Sequence, residues 1–232
     1  MDRNCRSAVS SLHDRNSPTQ VRRSIKIGAY ALLSECKALN TAMNAVAKHL
    51  AFRPEMRLHV GETELLQALS CHQLDLAIFP AAPEAPLFDC TIIGHAPVSL
   101  VVEAPNTAGF REENLRLSGR PDYVFCLPCE RRFPKLNRLV RSELERLVPE
   151  AIFVNYYTDP KELMFNVRCG AGCLSLQQQG SFDDPKIACL PVSDVAPVPL
   201  FVAWRRDDTL GEQIKSIAEL SPPPSKSDGL IA

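Results

Sequence analysis

Residues 65–79 read LLQALSCHQLDLAIF, and this stretch decides the fold prediction. Its first half carries apolar residues at helical spacing, and its second half is an apolar run with the length of a buried strand. Asp75 is the one charged residue of that run, and no second acid or base accompanies it for catalysis. We therefore predict a helix that leads directly into a strand, with Asp75 anchoring the strand start by accepting backbone N–H groups.

The segments on either side repeat this alternation of strand and helix. Strands are predicted at 24–29, 56–60, 74–79, 90–93, 98–102, 123–126, 152–154, 173–176 and 199–204. Helices are predicted at 33–50, 62–71, 135–147, 160–168 and near 209–220. Strand–helix–strand order with short joints is typical of parallel sheets that are covered on both faces.

The order of these elements predicts an α/β fold of two Rossmann-like lobes with a hinged cleft between them. We expect lobe I to contain 24–100 and 198–220, and lobe II to contain 101–197, so that the last strand returns to the first lobe. The polar segment 1–23 is expected to be a linker remnant, and the tail 221–232 to be disordered. Ligands of such sheets bind beyond the carboxyl ends of the strands.

The composition limits the classes of function. Lys and Arg number 26 against 27 Asp and Glu, so no basic excess points to a nucleic-acid surface. No apolar run is long enough for a bilayer, and the N-terminus lacks the apolar core of a signal peptide, which predicts a cytoplasmic protein without membrane contact. The nine cysteines are too dilute for a disulfide framework, and most are expected to be reduced and packed.

No catalytic motif is present, and the histidines lack metal-ligand spacing. We therefore predict no catalytic residue, no metal and no cofactor, and do not expect an enzyme. Cys126 and Cys129, with Cys169 and Cys173, leave a redox switch or a metal site open beside ordinary packing.

Five stretches in order carry a resemblance to a known family. They are 25–28, 53–61, 65–78, the glycine turn and strand 170–176, and the closing strand 198–205 with its Trp and basic residue. Together they resemble the effector-binding domain of LysR-type transcriptional regulators, which share the fold of type 2 periplasmic solute-binding proteins. The likeness covers about 22–220. The family's helix-turn-helix has no counterpart in this sequence. The chain therefore resembles a sensor domain without the DNA-binding domain through which the family contacts DNA.

Three residues depart from the family pattern. His72 stands where the family has a glycine at the end of the helix, so the left-handed backbone conformation that often ends a helix is less favourable here. Gln177 stands where the family motif closes with proline. Glu62 stands where relatives often place a hydroxyl that holds an effector carboxylate, so a neutral or cationic ligand, or none, is expected here.

The resemblance implies a small-molecule effector in the interlobe cleft and a homodimer or tetramer. We expect the effector to meet loop residues at strand–helix joints, where backbone N–H groups point outward. These are Tyr30, Ala31, Leu32, Glu62, Thr63, Cys126, Pro128, Cys129 and Glu130. The implied head-to-tail interface involves the first helix and second strand, at Ala38, Ala42, Ala45 and Leu58.

Two other interpretations remain open at this point. A solute receptor of a transporter has the same fold, but it would need an export signal or a lipid-anchor cysteine, and Cys5 lacks the preceding apolar run. A thiol-based redox sensor would use Cys126 and Cys129.

Overall fold

The structure is a computed structural model that describes residues 24–34, 36–50, 52–104, 124–177, 181–211 and 213–215. The predictions for 1–23 and 221–232 fall outside these residues. Within them, ten strands form two five-stranded mixed sheets with helices packed on their faces. None of the described helices is both long and apolar enough to span a bilayer.

The first sheet has the strand order β2-β1-β3-β10-β4. Its strands are β1 (Ser24–Tyr30), β2 (Arg53–His59), β3 (Leu76–Phe79), β4 (Phe88–Ala96) and β10 (Val198–Arg205), and its helices are α1 (Lys37–His49) and α2 (Glu62–Ser70). β1 runs parallel to β2 and β3, whereas β10 runs antiparallel to both β3 and β4. We call this sheet with its helices the first lobe.

The second sheet has the strand order β7-β6-β8-β5-β9. Its strands are β5 (Ser99–Glu103), β6 (Val124–Pro128), β7 (Ile152–Tyr157), β8 (Gly172–Ser175) and β9 (Ile187–Pro191), and its helices are α3 (Pro134–Leu147) and α4 (Pro160–Arg168). β6 is parallel to β7 and β8, and β5 is antiparallel to β8 and β9. We call this sheet with its helices the second lobe.

Two segments carry the chain between the sheets, 97–98 on the way out and 192–197 on the way back. They lie side by side, because the Val192 N–H donates to the Val98 carbonyl over 3.0 Å. The change of sheet at 97–98 places Ser99 and Leu100 in the second sheet, two residues earlier than the expected boundary after residue 100.

Asp75 anchors the start of β3, as its isolation in an apolar run predicts. Its Oδ2 accepts the backbone N–H of Lys26 at 2.7 Å, and its own N–H donates to the Lys26 carbonyl at 2.9 Å. The carboxylate therefore extends the β1–β3 pairing by one side-chain hydrogen bond.

Arg205 makes comparable side-chain hydrogen bonds to the backbone at the C-terminal end of α2. Its guanidinium is buried and donates to the carbonyls of Leu69 and Leu74, each at 2.8 Å, and pairs with Asp208 at 2.9 Å. A cation at a helix C-terminus satisfies carbonyls that the helix itself leaves unpaired. The basic residue that closes β10 thus ties that strand to α2 and to the loop before β3.

Several element boundaries differ from the predicted ones. β2 begins at Arg53 and includes Pro54, which an edge strand tolerates because its outer side needs no donor. A 3-10 turn at Ala31–Leu33 precedes α1, so that helix starts later than residue 33. β4 spans nine residues rather than four, and the half-buried strand β9 was not predicted at all.

His72 adopts the left-handed conformation that the family pattern assigns to glycine, with φ of 57°. A side chain in this region costs about 1 kcal/mol relative to glycine. We expect His72→Gly to raise the free energy of unfolding by about 0.5–1 kcal/mol, part of the gain being offset by greater freedom of the unfolded chain. Urea unfolding measures this difference.

The neighbouring substitution Gln73→Gly is the matched control. Gln73 is also exposed but is not among the residues with positive φ, so a glycine there should lower the free energy of unfolding. Equal effects of the two glycines would contradict the assignment of backbone strain to His72.

Candidate functional site

The loops that follow the parallel strands of the two sheets meet face to face. From the first lobe come residues 30–33, 61–62 and 82–84, and from the second lobe residues 128–136 and 174–177. We call this meeting surface the seam. It lies beyond the carboxyl ends of the strands, where ligands of open α/β sheets bind.

A backbone hydrogen bond joins the lobes at the start of α2. The Glu62 N–H donates to the Arg132 carbonyl at 2.9 Å. Gly61 permits this approach, because a Cβ at its position would lie only 3.3 Å from the same carbonyl oxygen. The first N–H groups of a helix have no partner within the helix, so this bond also caps α2.

Aromatic packing lies beside that bond. The buried ring of Tyr30 sits 5.1 Å from the ring of Phe133 across the seam, and 6.0 Å edge-on from Phe79 within its own lobe. Burial first, and then the charge and hydrogen bond of the Glu62 carboxylate, raise the pKa of the Tyr30 hydroxyl well above its ordinary value. Tyr30 therefore stays neutral and serves as a hydrogen-bond donor to Glu62.

Lys135 reaches across the seam from the first turn of α3. Its ammonium donates to the Ala82 carbonyl at 2.5 Å and lies 3.6 Å from Glu62 Oε1 and 3.7 Å from Glu84 Oε1. The Glu62 side chain is only 9% exposed, whereas that of Glu84 is 86% exposed. The pair with Glu62 is the shielded one, and the pair with Glu84 is weakened by solvent.

Gln177 makes a further cross-lobe contact. It is 1% exposed, and its Nε2 donates to the Leu32 carbonyl at 2.8 Å. Only the amide NH₂ can donate to a carbonyl, so this contact fixes which way the amide points. The Gln that replaces the family's proline thus supplies a hydrogen bond that proline could not make.

Apolar side chains close the remaining space. The seam encloses a cavity of about 10 Å³, enough for about one water molecule. Its lining includes Leu32, Leu33, Val98, Pro128, Leu136, Val140, Leu174 and Leu176. The two lobes are therefore in direct contact, and a larger molecule enters only if they part.

Some of the expected effector residues make contacts across the seam or line its cavity. These are Tyr30, Leu32, Glu62 and Pro128. Ala31, Cys129 and Glu130 belong to the seam loops, where Ala31 and Cys129 are half-buried and Glu130 is exposed, and the exposed Thr63 follows in α2. Their role in binding stays a prediction.

Sequence reasoning missed the partners Phe133 and Lys135. Phe133 is the residue before α3 and Lys135 lies in its first turn, and the helix was predicted to start at Lys135 itself. Pro134 marks the start of this helix, since proline is common at the first helical position. It is the sequence signal from which this helix start, and with it the neighbours Phe133 and Lys135, could have been inferred.

Cys126 is fully buried and differs from the other expected site residues. It lies in register with Cys173 on the neighbouring strand, and the two thiols are hydrogen-bonded. Burial, followed by the contact with Cys126, raises the pKa of Cys173 well above its ordinary value. Cys126 therefore offers a ligand no surface in this arrangement, and its thiol neighbour is Cys173 on the adjacent strand.

Ala42 was expected at the dimer interface, but it is buried within the first lobe. It is 5% exposed and packs against the first sheet, close to Gly94 of β4. Ala45 and Leu58 are exposed and Ala38 is half-buried. Ala42 is thus part of the core, because the apolar stripe of α1 faces the sheet.

We expect thiol labelling to follow burial. Exposed Cys71 and Cys169 should react rapidly with iodoacetamide at pH 8, whereas buried Cys126 and Cys173 should stay unmodified. Cys189 should also stay unmodified, because burial raises its pKa to about 11. Peptide mass spectrometry measures each site.

Labelling in denaturant is the control, in which every cysteine should react. A disulfide between Cys126 and Cys129 that forms in the folded protein on peroxide treatment would contradict this expectation. It would instead favour the redox sensor.

Comparison with protein-family models and with curated proteins finds no match to this chain. Solved structures do match. CbnR, a LysR family transcriptional regulator, superposes with a TM-score of 0.68 at 12% identity, over 86% of this chain and 70% of CbnR. The reduced regulatory domain of OxyR2 from Vibrio vulnificus gives 0.65 at 18% identity, over 86% of this chain and 94% of that domain.

The effector-binding domain of a BenM variant is similar as well, with a TM-score of 0.65 at 17% identity over 86% of this chain and 96% of that domain. These identities are low, so the likeness concerns the fold. The chain has the type 2 periplasmic-binding-protein-like fold found in the regulatory domains of LysR-family regulators.

Proposed function

We propose that this chain is the ligand-sensing regulatory domain of a LysR-type transcriptional regulator, without catalytic activity. The observation that carries the proposal is the seam, where polar contacts at the carboxyl ends of both sheets join two lobes linked by two chain segments. The structural neighbours, which are transcriptional regulators and their regulatory domains, support it.

The mechanism follows from how few contacts hold the seam. The polar contacts between the described loops are the Glu62–Arg132 backbone hydrogen bond, the Gln177 amide hydrogen bond and the Lys135 contacts with Ala82, Glu62 and Glu84, and one aromatic contact lies beside them. Each hydrogen bond contributes about 1 kcal/mol net. A ligand that prefers one seam arrangement by a few kcal/mol therefore shifts the population between closed and open lobes.

The crossing segments are the natural hinge. Among the described strands, the chain passes from one sheet to the other only through 97–98 and 192–197, and the Val192–Val98 hydrogen bond holds these two segments together as one joint. Rotation about this joint changes the seam and leaves each sheet intact. The sheets then move as rigid bodies, which transmits binding to surfaces far from the seam.

Oligomerisation would use the outer edges of the sheets. β2 and β7 are edge strands, and they expose apolar side chains. These are Leu58 on β2 and Ile152, Val154 and Tyr156 on β7. A head-to-tail homodimer in which the β2 side of one chain meets the β7 side of another would cover both, and DNA would be bound through a separate helix-turn-helix.

The proposal predicts that the seam opens when its polar contacts are removed. We expect the double variant Lys135→Met and Gln177→Leu to exchange hydrogen faster in the peptide that contains Glu62. The loss of about 1–3 kcal/mol of closing free energy corresponds to a roughly 5- to 150-fold faster exchange of the Glu62 amide. Hydrogen exchange with mass spectrometry measures it.

Lys161→Met is the matched control, since Lys161 is an exposed lysine on α4 and away from the seam. The peptides of β1 and β3 should keep their protection in every variant, which shows that the lobes remain folded. Unchanged exchange at Glu62 in the double variant would contradict a seam held by these contacts.

A further inference from the structure

Two buried hydrogen-bond acceptors of the seam have no donor among the described residues. Glu62 Oε2 and Gln177 Oε1 are both buried and have no hydrogen-bond partner among the described residues. The Glu62 side chain is 9% exposed and Gln177 is 1% exposed. A buried acceptor without a donor is unfavourable, because it has lost its hydrogen bonds to water, so both atoms favour any molecule that brings N–H groups.

The orientation of the Gln177 amide is fixed by a contact already described, and the charge of Glu62 is stabilised by its place in α2. Gln177 uses its NH₂ on the Leu32 carbonyl, so its oxygen cannot turn away without breaking a cross-lobe bond. Glu62 is the first residue of α2, where the helix dipole stabilises its negative charge. An entering molecule therefore meets an amide oxygen and a carboxylate, both able only to accept.

The two donor side chains beside the Glu62 carboxylate each have an acceptor. Tyr30 donates to the Glu62 carboxylate, and the Lys135 ammonium donates to the Ala82 carbonyl. Charges on the flanking loops are Glu84, 3.7 Å from Lys135, and Glu130, Arg131 and Arg132, which are exposed on the turn before α3. Solvent screens those exposed charges, whereas the shielded carboxylate of Glu62 acts at close range.

Lys135 shows which chemistry the seam accepts. Its ammonium lies among one carbonyl and two carboxylates, all supplied by the first lobe. The Lys135 side chain is 20% exposed, so it can turn toward solvent as the lobes part. A primary ammonium on an entering molecule would then take its position against Glu62.

We propose that the seam binds a small organic cation, with a primary ammonium or amidinium group and a compact apolar body. The cationic group binds the Glu62 carboxylate and donates a further hydrogen bond to Gln177 Oε1, while the apolar body packs on Leu32, Leu136 and Val140. This inference rests on the proposed sensor function and specifies its ligand class. Lys135 is the resident cation that the ligand displaces.

Three probes of one shape and different charge test it: benzylamine, benzyl alcohol and benzoate. Each is titrated into the full chain, with the melting temperature and isothermal titration calorimetry as readouts. We expect benzylamine to raise the melting temperature and to bind at least tenfold more tightly than the alcohol, with no response to benzoate. Lys135→Met should strengthen benzylamine binding, since it removes the competing ammonium.

Glu62→Gln keeps the size of the side chain and removes its charge, and should weaken benzylamine binding at least tenfold. Glu150→Gln, at an exposed loop position, is the control and should bind as the original chain does. Because Lys135→Met tests the same competition from the other lobe, the inference remains testable if Glu62→Gln folds poorly.

The failures are distinguishable. The cationic site is overturned if benzoate binds, or if neither Lys135→Met nor Glu62→Gln changes the affinity for benzylamine. Neither result contradicts the sensor function. The cationic site is also overturned if none of the three probes binds. Hydrogen exchange of the Glu62 amide then tests separately whether the seam opens as a sensor requires.

Discussion

The insertion of β10 between β3 and β4 is the constraint on which the architecture depends. The first sheet lacks its fourth strand until the chain has built the whole second sheet and returned. Both crossings are therefore obligatory, and the lobes cannot separate beyond the reach of 97–98 and 192–197. Arg205 at the end of β10 then ties this late strand to α2, whose first residue faces the other lobe.

From this constraint the seam follows. Parallel strands of both sheets end toward each other, so the loops after them face one another and their polar groups pair across the gap. The contacts are few and mostly single hydrogen bonds, with a core of packed apolar side chains behind them. The free energy of ligand binding is large enough to shift the seam between two arrangements. The sheets keep their structure, because their packed cores resist deformation.

Local patterns predicted most of the fold. α4 has the predicted bounds, because Pro160 fixes its start and the Asp159 side chain caps it by accepting the N–H groups of Lys161 and Glu162. β9 was missed because it is a half-buried edge strand without clear alternation, defined by its pairing with β5. The isolated Asp75 was understood from the sequence, since a carboxylate at a buried strand start needs a backbone partner.

The candidate site was less predictable, for a physical reason. Tyr30 ends β1 and Glu62 starts the helix after β2, so their position at the seam could be inferred from the fold. Their partners Phe133 and Lys135 come from the other lobe, and a single sequence does not reveal which residues meet across two lobes. Gln177 did leave a signal, as a departure from the family's proline, but its cross-lobe hydrogen bond appears only in three dimensions.

The cross-lobe hydrogen bond between the Glu62 N–H and the Arg132 carbonyl is the most direct test of the closed seam. Nuclear magnetic resonance detects such a bond as a scalar coupling between the amide nitrogen of the donor and the carbonyl carbon of the acceptor. We expect a resolved Glu62–Arg132 coupling, alongside the within-lobe coupling from the Asp75 nitrogen to the Lys26 carbonyl carbon. A resolved Asp75–Lys26 coupling with none between Glu62 and Arg132 would show intact lobes that do not close on each other, and would contradict the account.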